Sequence, residues 1–179
     1  MSLMVFLGES GSGKTATING LIDLHPDSYK KVITCTSRQM RAGEADGVDY
    51  HFCQSKYFTD NSDLVLLKRV ATGDCYATRK ADLHSESHML LLSLRPIGLI
   101  KLVQLGFKDI TVANISISEA LKIRRMHHRG DSEELISARL ESDRVDRRKD
   151  YLHGLSVIHI DAADPITTNL QLILRSAHI

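Results

Sequence analysis

The 179-residue sequence predicts an α/β fold, a parallel sheet with helices on both of its faces. Three observations carry this. Short apolar runs alternate with segments of helical periodicity along most of the chain, the order expected when each strand is followed by a crossover helix. "HMLLLSL" (88–94) is almost wholly apolar, as a strand covered on both faces must be. A glycine-rich octapeptide, "GESGSGKT" (8–15), lies directly between the first apolar run and the first helical segment.

The elements follow in order. "LMVFL" (3–7) is a strand, and a helix runs from the glycine-rich turn to about Leu24, where Pro26 ends it. "KVITCT" (31–36) reads as the second strand. "DYHFC", "DLVLLKRVA" and "DCYAT", between Asp49 and Thr78, read as a small antiparallel insert. After the buried strand comes a helix with Pro96 at its start and Gly106 just past its end. "DITVANIS" (109–116) is a strand, and Ser118 opens a helix to about His128. Asp131, with Glu134 three residues on, predicts the N-cap of a long charged helix over 131–152. "LSVIHIDA" (155–162) is the last strand, and Asp164-Pro165 starts a final amphipathic helix. The whole predicts one domain over 1–179, with a core of 1–33, 81–123 and 153–179 and two excursions, 34–80 and 124–152.

The formal net charge of +1 supplies no bulk attraction to nucleic acid or to a membrane surface. No apolar run approaches the ~20 residues of a membrane span, and no signal-peptide pattern is read. Cys35, Cys53 and Cys75 are odd in number and match no zinc spacing, so they are expected to be reduced thiols of a cytoplasmic protein. Nothing in the pattern specifies an oligomeric state.

The octapeptide matches G-x-x-x-x-G-K-[ST] and has the strand-before, helix-after context that motif requires. Gly11 and Gly13 let the backbone turn its N–H groups inward as an anion nest, and the following helix aims its positive end at the same point. Lys14 adds a charge for the β- and γ-phosphates, and Thr15 offers a hydroxyl to Mg²⁺. Gly8, Glu9, Ser10, Gly11, Ser12, Gly13, Lys14 and Thr15 are therefore the expected ATP-binding loop of a P-loop NTPase-type fold.

The acceptor is read elsewhere. In "TCTSRQMRAGEADGVDYHF" (34–52), Arg38 and Arg41 offer planar guanidinium forks suited to one phosphate, and the Tyr50 hydroxyl adds a neutral donor. "SRQMRAGEADGVDYHF" resembles the acceptor-binding segment of the guanylate kinase family, with Ser37 in a threonine's place, and the order of elements agrees over nearly the whole chain. The resemblance implies an ATP-dependent nucleoside monophosphate kinase, with GMP as acceptor. It implies that Arg38, Arg41, Tyr50 and Tyr76 hold the acceptor phosphate, that Thr34 meets the base, and that Thr78 replaces a serine of the family's Tyr-Gly-Ser. It makes 34–80 the acceptor-binding insert and 124–152 a helical lid. Arg125, Arg129 and Arg139 are then the catalytic lid arginines beside Lys14, because phosphoryl transfer is served chiefly by positioning and charge stabilisation. Arg144, Arg147 and Arg148 are read as a solvated face balanced by Glu133, Glu134, Asp143 and Asp146. His127 and His128 are given no role.

The sequence departs from the family in its acids. Ser93 and Arg95 stand where the family ends the third parallel strand in Asp-x-Asp, and Leu67 stands where it has a glutamate on the guanine edge. A leucine cannot accept hydrogen bonds from guanine, and loss of a carboxylate near Mg²⁺ implies slower turnover. Glu9 and Asp74 are the candidates for a replacement carboxylate. Two alternatives stay open: a small-molecule kinase like ribose 1,5-bisphosphate phosphokinase, which resembles guanylate kinase and also lacks the Asp-x-Asp, and a degenerate binding module without turnover.

Overall fold

The computed structural model describes residues 2–59, 61–70, 73–145 and 152–176. Five strands, β1 (Leu3–Gly8), β2 (Tyr29–Lys31), β7 (Met89–Ser93), β8 (Ile110–Ser116) and β9 (Ser156–Asp161), form one sheet in the order β2-β7-β1-β8-β9, parallel throughout. β1 lies at its centre, paired with β7 and β8 and buried along Leu3–Leu7, which explains its unbroken apolar run. Ile18 and Leu21 of α1 (Lys14–Leu24) and Leu170 and Ile173 of α5 (Ile166–Ser176) share one cluster with Met4 and Phe6. Leu99 and Leu102 of α2 (Pro96–Gln104) join Leu3, Val5 and Leu7 in another. The alternation of side chains along β1 thus sends successive residues to opposite layers.

The run at 31–36 is not one strand. The chain leaves the main sheet at Val32, whose N–H still reaches the Leu91 carbonyl (2.9 Å), and re-enters a second sheet as β3 (Cys35–Thr36). That sheet has the order β4-β3-β6-β5, with β4 His51–Phe52, β5 Leu64–Arg69 and β6 Cys75–Arg79. It is antiparallel across β3, β6 and β5, as expected, with β4 added in parallel at one edge. An irregularity between Val65 and Lys68 places Leu66 at φ 57° and turns its side chain into the α2 layer. Local strain there is offset by burial of a leucine.

α3 (Glu119–His128) is capped as predicted, with the Ser118 hydroxyl accepting from the Leu121 N–H at 3.3 Å. α4 (Glu133–Val145) is capped by Ser132, whose hydroxyl accepts from the Leu135 N–H at 3.3 Å, and not by Asp131. The Asp131 carboxylate pairs with arginines instead, so a charge partner won over a cap. The end of the helix predicted over 131–152, with Asp146, Arg147 and Arg148, lies outside the described residues. Among the described residues no helix is long and apolar enough to cross a membrane.

Cys35, Cys53 and Cys75 are free thiols, and Cys35 and Cys75 pack with Phe58 and Ala77 in the core of the small sheet. Burial, reinforced by Cys53, pushes the Cys35 thiol up to about 12. Native protein treated with iodoacetamide at pH 8 should therefore leave Cys35 unmodified by mass spectrometry, whereas protein unfolded in urea should be modified there. Rapid native labelling would show that the small sheet opens.

Candidate active site

The glycine-rich loop joins the end of β1 to α1. Gly11 (φ 74°) and Gly13 (φ 96°) hold the left-handed conformations that let its N–H groups turn inward. At Gly8 the constraint is space, since a Cβ there would meet Ser12 Oγ at 2.6 Å and the Ile115 carbonyl at 2.7 Å. Lys14 Nζ folds back to donate to the Gly8 (2.8 Å) and Glu9 (3.0 Å) carbonyls. Burial lowers its pKa to about 8 against the pull of Asp143. Thr15 is exposed at the first turn of α1. Beside the loop lies a cavity of about 310 Å³ whose lining includes Gly13, Thr17, Arg125, Ala162 and Asn169.

The three lid arginines separate. Arg125 donates to the Gly11 (3.0 Å) and Ala162 (2.7 Å) carbonyls and lines that cavity. Arg129 pairs with Asp131, its Nε donating to Oδ1 at 3.2 Å and its Nη2 to Oδ2. Arg139 Nη1 stands 3.7 Å from the same Asp131 carboxylate. Burial, then Arg41 and Arg129, lowers the Arg139 pKa, and burial, then Arg38 and Arg129, lowers that of Arg41. Burial raises the Asp131 pKa, but the Arg129 hydrogen bond and the charges of Arg139, Arg129 and Arg41 outweigh it and bring it down. Arg41, Arg129 and Arg139 thus form one cluster that Asp131 alone does not neutralise. Arg139 Nε is buried within it with no hydrogen-bond partner. A guanidinium N–H left so is costly unless an anion takes it.

Arg38 makes a bidentate pair with Glu44 (2.8 and 3.0 Å) and lies over the Tyr50 and Phe52 rings, at 5.2 and 5.6 Å. Glu44 also accepts from the Arg41 backbone N–H at 2.8 Å, so one carboxylate ties the Arg38 guanidinium to the main chain at Arg41. Tyr50 packs edge-on against Tyr76, ring centroids 6.1 Å apart, and burial raises its pKa. Thr78 is buried in β6, and Thr34 is half-buried, its carbonyl accepting from the His51 N–H at 2.9 Å. At the positions that depart from the family, Ser93 and Leu67 are exposed, and Leu67 offers only its carbonyl, which accepts from Lys101 Nζ at 2.7 Å.

Sequence reasoning missed a second charge cluster. Asp143 is not part of a solvated face; its side chain is only 3% exposed. It stands 3.6 Å from Lys122 Nζ and 3.4 Å from Arg95, and it accepts from the Ser10 N–H at 3.2 Å. Lys122, fully buried, also donates to Glu9 Oε2 at 2.5 Å. Glu9 is thereby committed to a buried lysine. The signal available was the juxtaposition of Arg95 with an acid on a distant helix, which sequence spacing does not reveal.

A phosphate loop at the end of a parallel sheet, with arginines gathered around it, defines a P-loop kinase. The family model described as guanylate kinase matches residues 1–175, and the chain belongs to the guanylate kinase family. It is 32% identical to the guanylate kinase of Syntrophotalea carbinolica, over 96% of this chain and 84% of that protein. It is 30% identical to the guanylate kinase of Pseudomonas fluorescens, over 98% and 87%. Among solved structures, guanylate kinase from Anaplasma phagocytophilum superimposes with a TM-score of 0.65 at 16% identity, covering 99% of this chain and 84% of that one. A gluconokinase from Sinorhizobium meliloti shares the fold at a TM-score of 0.56 and 18% identity, covering 99% and 91%. The protein is a phosphotransferase of the nucleoside monophosphate kinase type.

The packing at Gly8 gives a direct test. Gly8→Ala should destabilise the protein by about 1–3 kcal/mol, read as a lower Tm by thermal denaturation. An unchanged Tm would contradict the tight approach of β8 to the loop.

Proposed function

We propose that the protein transfers the γ-phosphoryl group of ATP to the phosphate of GMP or a similar nucleoside monophosphate. The observation that carries this reading is a donor left open in a second group of cations: Arg139 Nε is buried with no hydrogen-bond partner beside Arg41, Arg129 and Asp131. Together with the phosphate loop that holds Lys14, this supplies two anion sites, which is what transfer between two phosphates needs.

In this reading the loop from Gly8 to Thr15 holds the triphosphate, Lys14 leaves the carbonyls of Gly8 and Glu9 for it, and the cavity beside Arg125 takes the nucleoside end. Arg41, Arg38, Tyr50 and Tyr76 hold the acceptor phosphate, and Arg139 gives its unpaired Nε–H to that anion. Arg125, Arg129 and Arg139 stabilise charge on the transferring group, and the α3–α4 segment acts as a lid that excludes water. Thr34 meets the base, and Thr78, buried in β6, stands in the place of the family's serine. Among the described residues no cluster of three metal-ligating side chains occurs, whereas Thr15 presents an exposed hydroxyl at the loop. That donor set fits Mg²⁺ that arrives with the triphosphate and keeps several waters. When bound, the ion neutralises charge on the phosphates. The curated relatives support GMP as the acceptor by family.

A panel of GMP, dGMP, AMP, CMP, UMP and ribose 1,5-bisphosphate, with ATP and Mg²⁺ and ADP release as readout, tests the reading. GMP should be turned over fastest; no turnover of any nucleotide would overturn it. Lys14→Ala should lower kcat by about 100- to 1,000-fold or more. Arg41→Ala should raise the acceptor KM by about 10- to 100-fold, the worth of one charge-assisted hydrogen bond, with a smaller effect on the KM for ATP. An unchanged acceptor KM would remove Arg41 from the clamp.

A further inference from the structure

We infer that Asp143 is a positioning residue for phosphoryl transfer: from α4 it fastens the lid to the phosphate loop, as counter-charge where the end of β7 carries Ser93 and Arg95. The inference stands on geometry. Asp143 lies near the C-terminal end of α4, the helix that also carries Arg139. Its carboxylate accepts from the Ser10 N–H inside the phosphate loop, and it stands between Lys122 of α3 and Arg95 at the start of α2. Arg95 donates as well to the Ser142 carbonyl at 2.8 Å, so the end of β7 grips α4 at two successive residues. Four segments therefore meet at one side chain.

The chemistry explains why this acid is worth burying. Where the strand end carries an arginine, the site gains a positive charge close to Lys14 and Lys122. Cations this close repel one another in a poorly solvated setting, and Glu9 pairs with Lys122. A carboxylate from the lid helix offsets the repulsion only while the helix is docked. Arg95 at the strand end and the buried Asp143 on the lid helix then balance each other in charge. Docking of α4 in turn fixes where Arg139 stands beside Arg41 and Asp131.

The kinetic arm of the test rests on the kinase reading; the exchange arm does not. Asp143→Asn keeps the shape and removes the charge. In native-state hydrogen exchange its α4 amides should exchange at least about tenfold faster than in the parent, while those of β1 and β8 keep their rates. Its kcat should fall by about 10- to 100-fold, with the Kd of a non-hydrolysable ATP analogue changed by less than about threefold. Because it also removes the carboxylate that Lys122 and Arg95 share and leaves Lys122 with Glu9 alone, it should lower Tm. The double variant Lys122→Met with Asp143→Asn removes the excess positive charge and should regain part of the lost Tm while kcat stays low. Unchanged α4 exchange, or wild-type kcat in the double variant, overturns the inference, since Asp143 would then serve only to neutralise Lys122. Should the parent protein turn over no acceptor, the kinase reading fails by itself and the exchange arm still decides the role of Asp143.

Discussion

The constraint on which the site depends is the holding of many cations close together without their anionic substrates. Lys14, Lys122, Arg95, Arg125, Arg41, Arg129 and Arg139 converge from the phosphate loop, the sheet ends and the two helices α3 and α4. In a setting this poorly solvated, repulsion among them opposes the fold. Glu44, Asp131 and Asp143, each shared between two or more groups, and Glu9, paired with Lys122, offset it. Backbone carbonyls do the rest, at Gly8, Glu9, Gly11 and Ala162. The offset is incomplete at Arg139 Nε, and that residual donor is the feature most suited to a phosphate.

The fold was largely legible in the sequence because periodicity and punctuation agreed. β1, β7 and β8 are short apolar runs, Pro96 and Ser118 mark helix starts, and the loop at 8–15 has one structural context. The errors share a cause. At 31–36 the apolar run is continuous, yet its residues serve two sheets, and only the position of the second sheet breaks the strand. At Asp131 a capping pattern was present, but two arginines competed for the carboxylate and Ser132 was free to cap.

For the site, local motifs were readable and long-range pairings were not. The loop octet and the 34–52 segment could be recognised residue by residue. The commitment of Arg38 to Glu44, the separation of Arg125 from Arg129, and the burial of Asp143 depend on contacts between distant segments. The acids absent at Ser93 and Arg95 implied slower turnover when read along the chain. In three dimensions a carboxylate stands 3.4 Å from Arg95, supplied from another helix. Leu67 meets Lys101 Nζ through its carbonyl at 2.7 Å, and its side chain can accept no hydrogen bond from a base.

The central claim is that the phosphate loop and the arginine cluster are two anion sites close enough for direct transfer. A single molecule joining adenosine to guanosine through five phosphates tests this most directly, by calorimetry in competition with each nucleotide. The account predicts one molecule bound per chain, displacing both an ATP analogue and GMP, with a Kd at least about 100-fold below that of either nucleotide alone. Binding no tighter than a single nucleotide, or displacement of only one of the two, would contradict it.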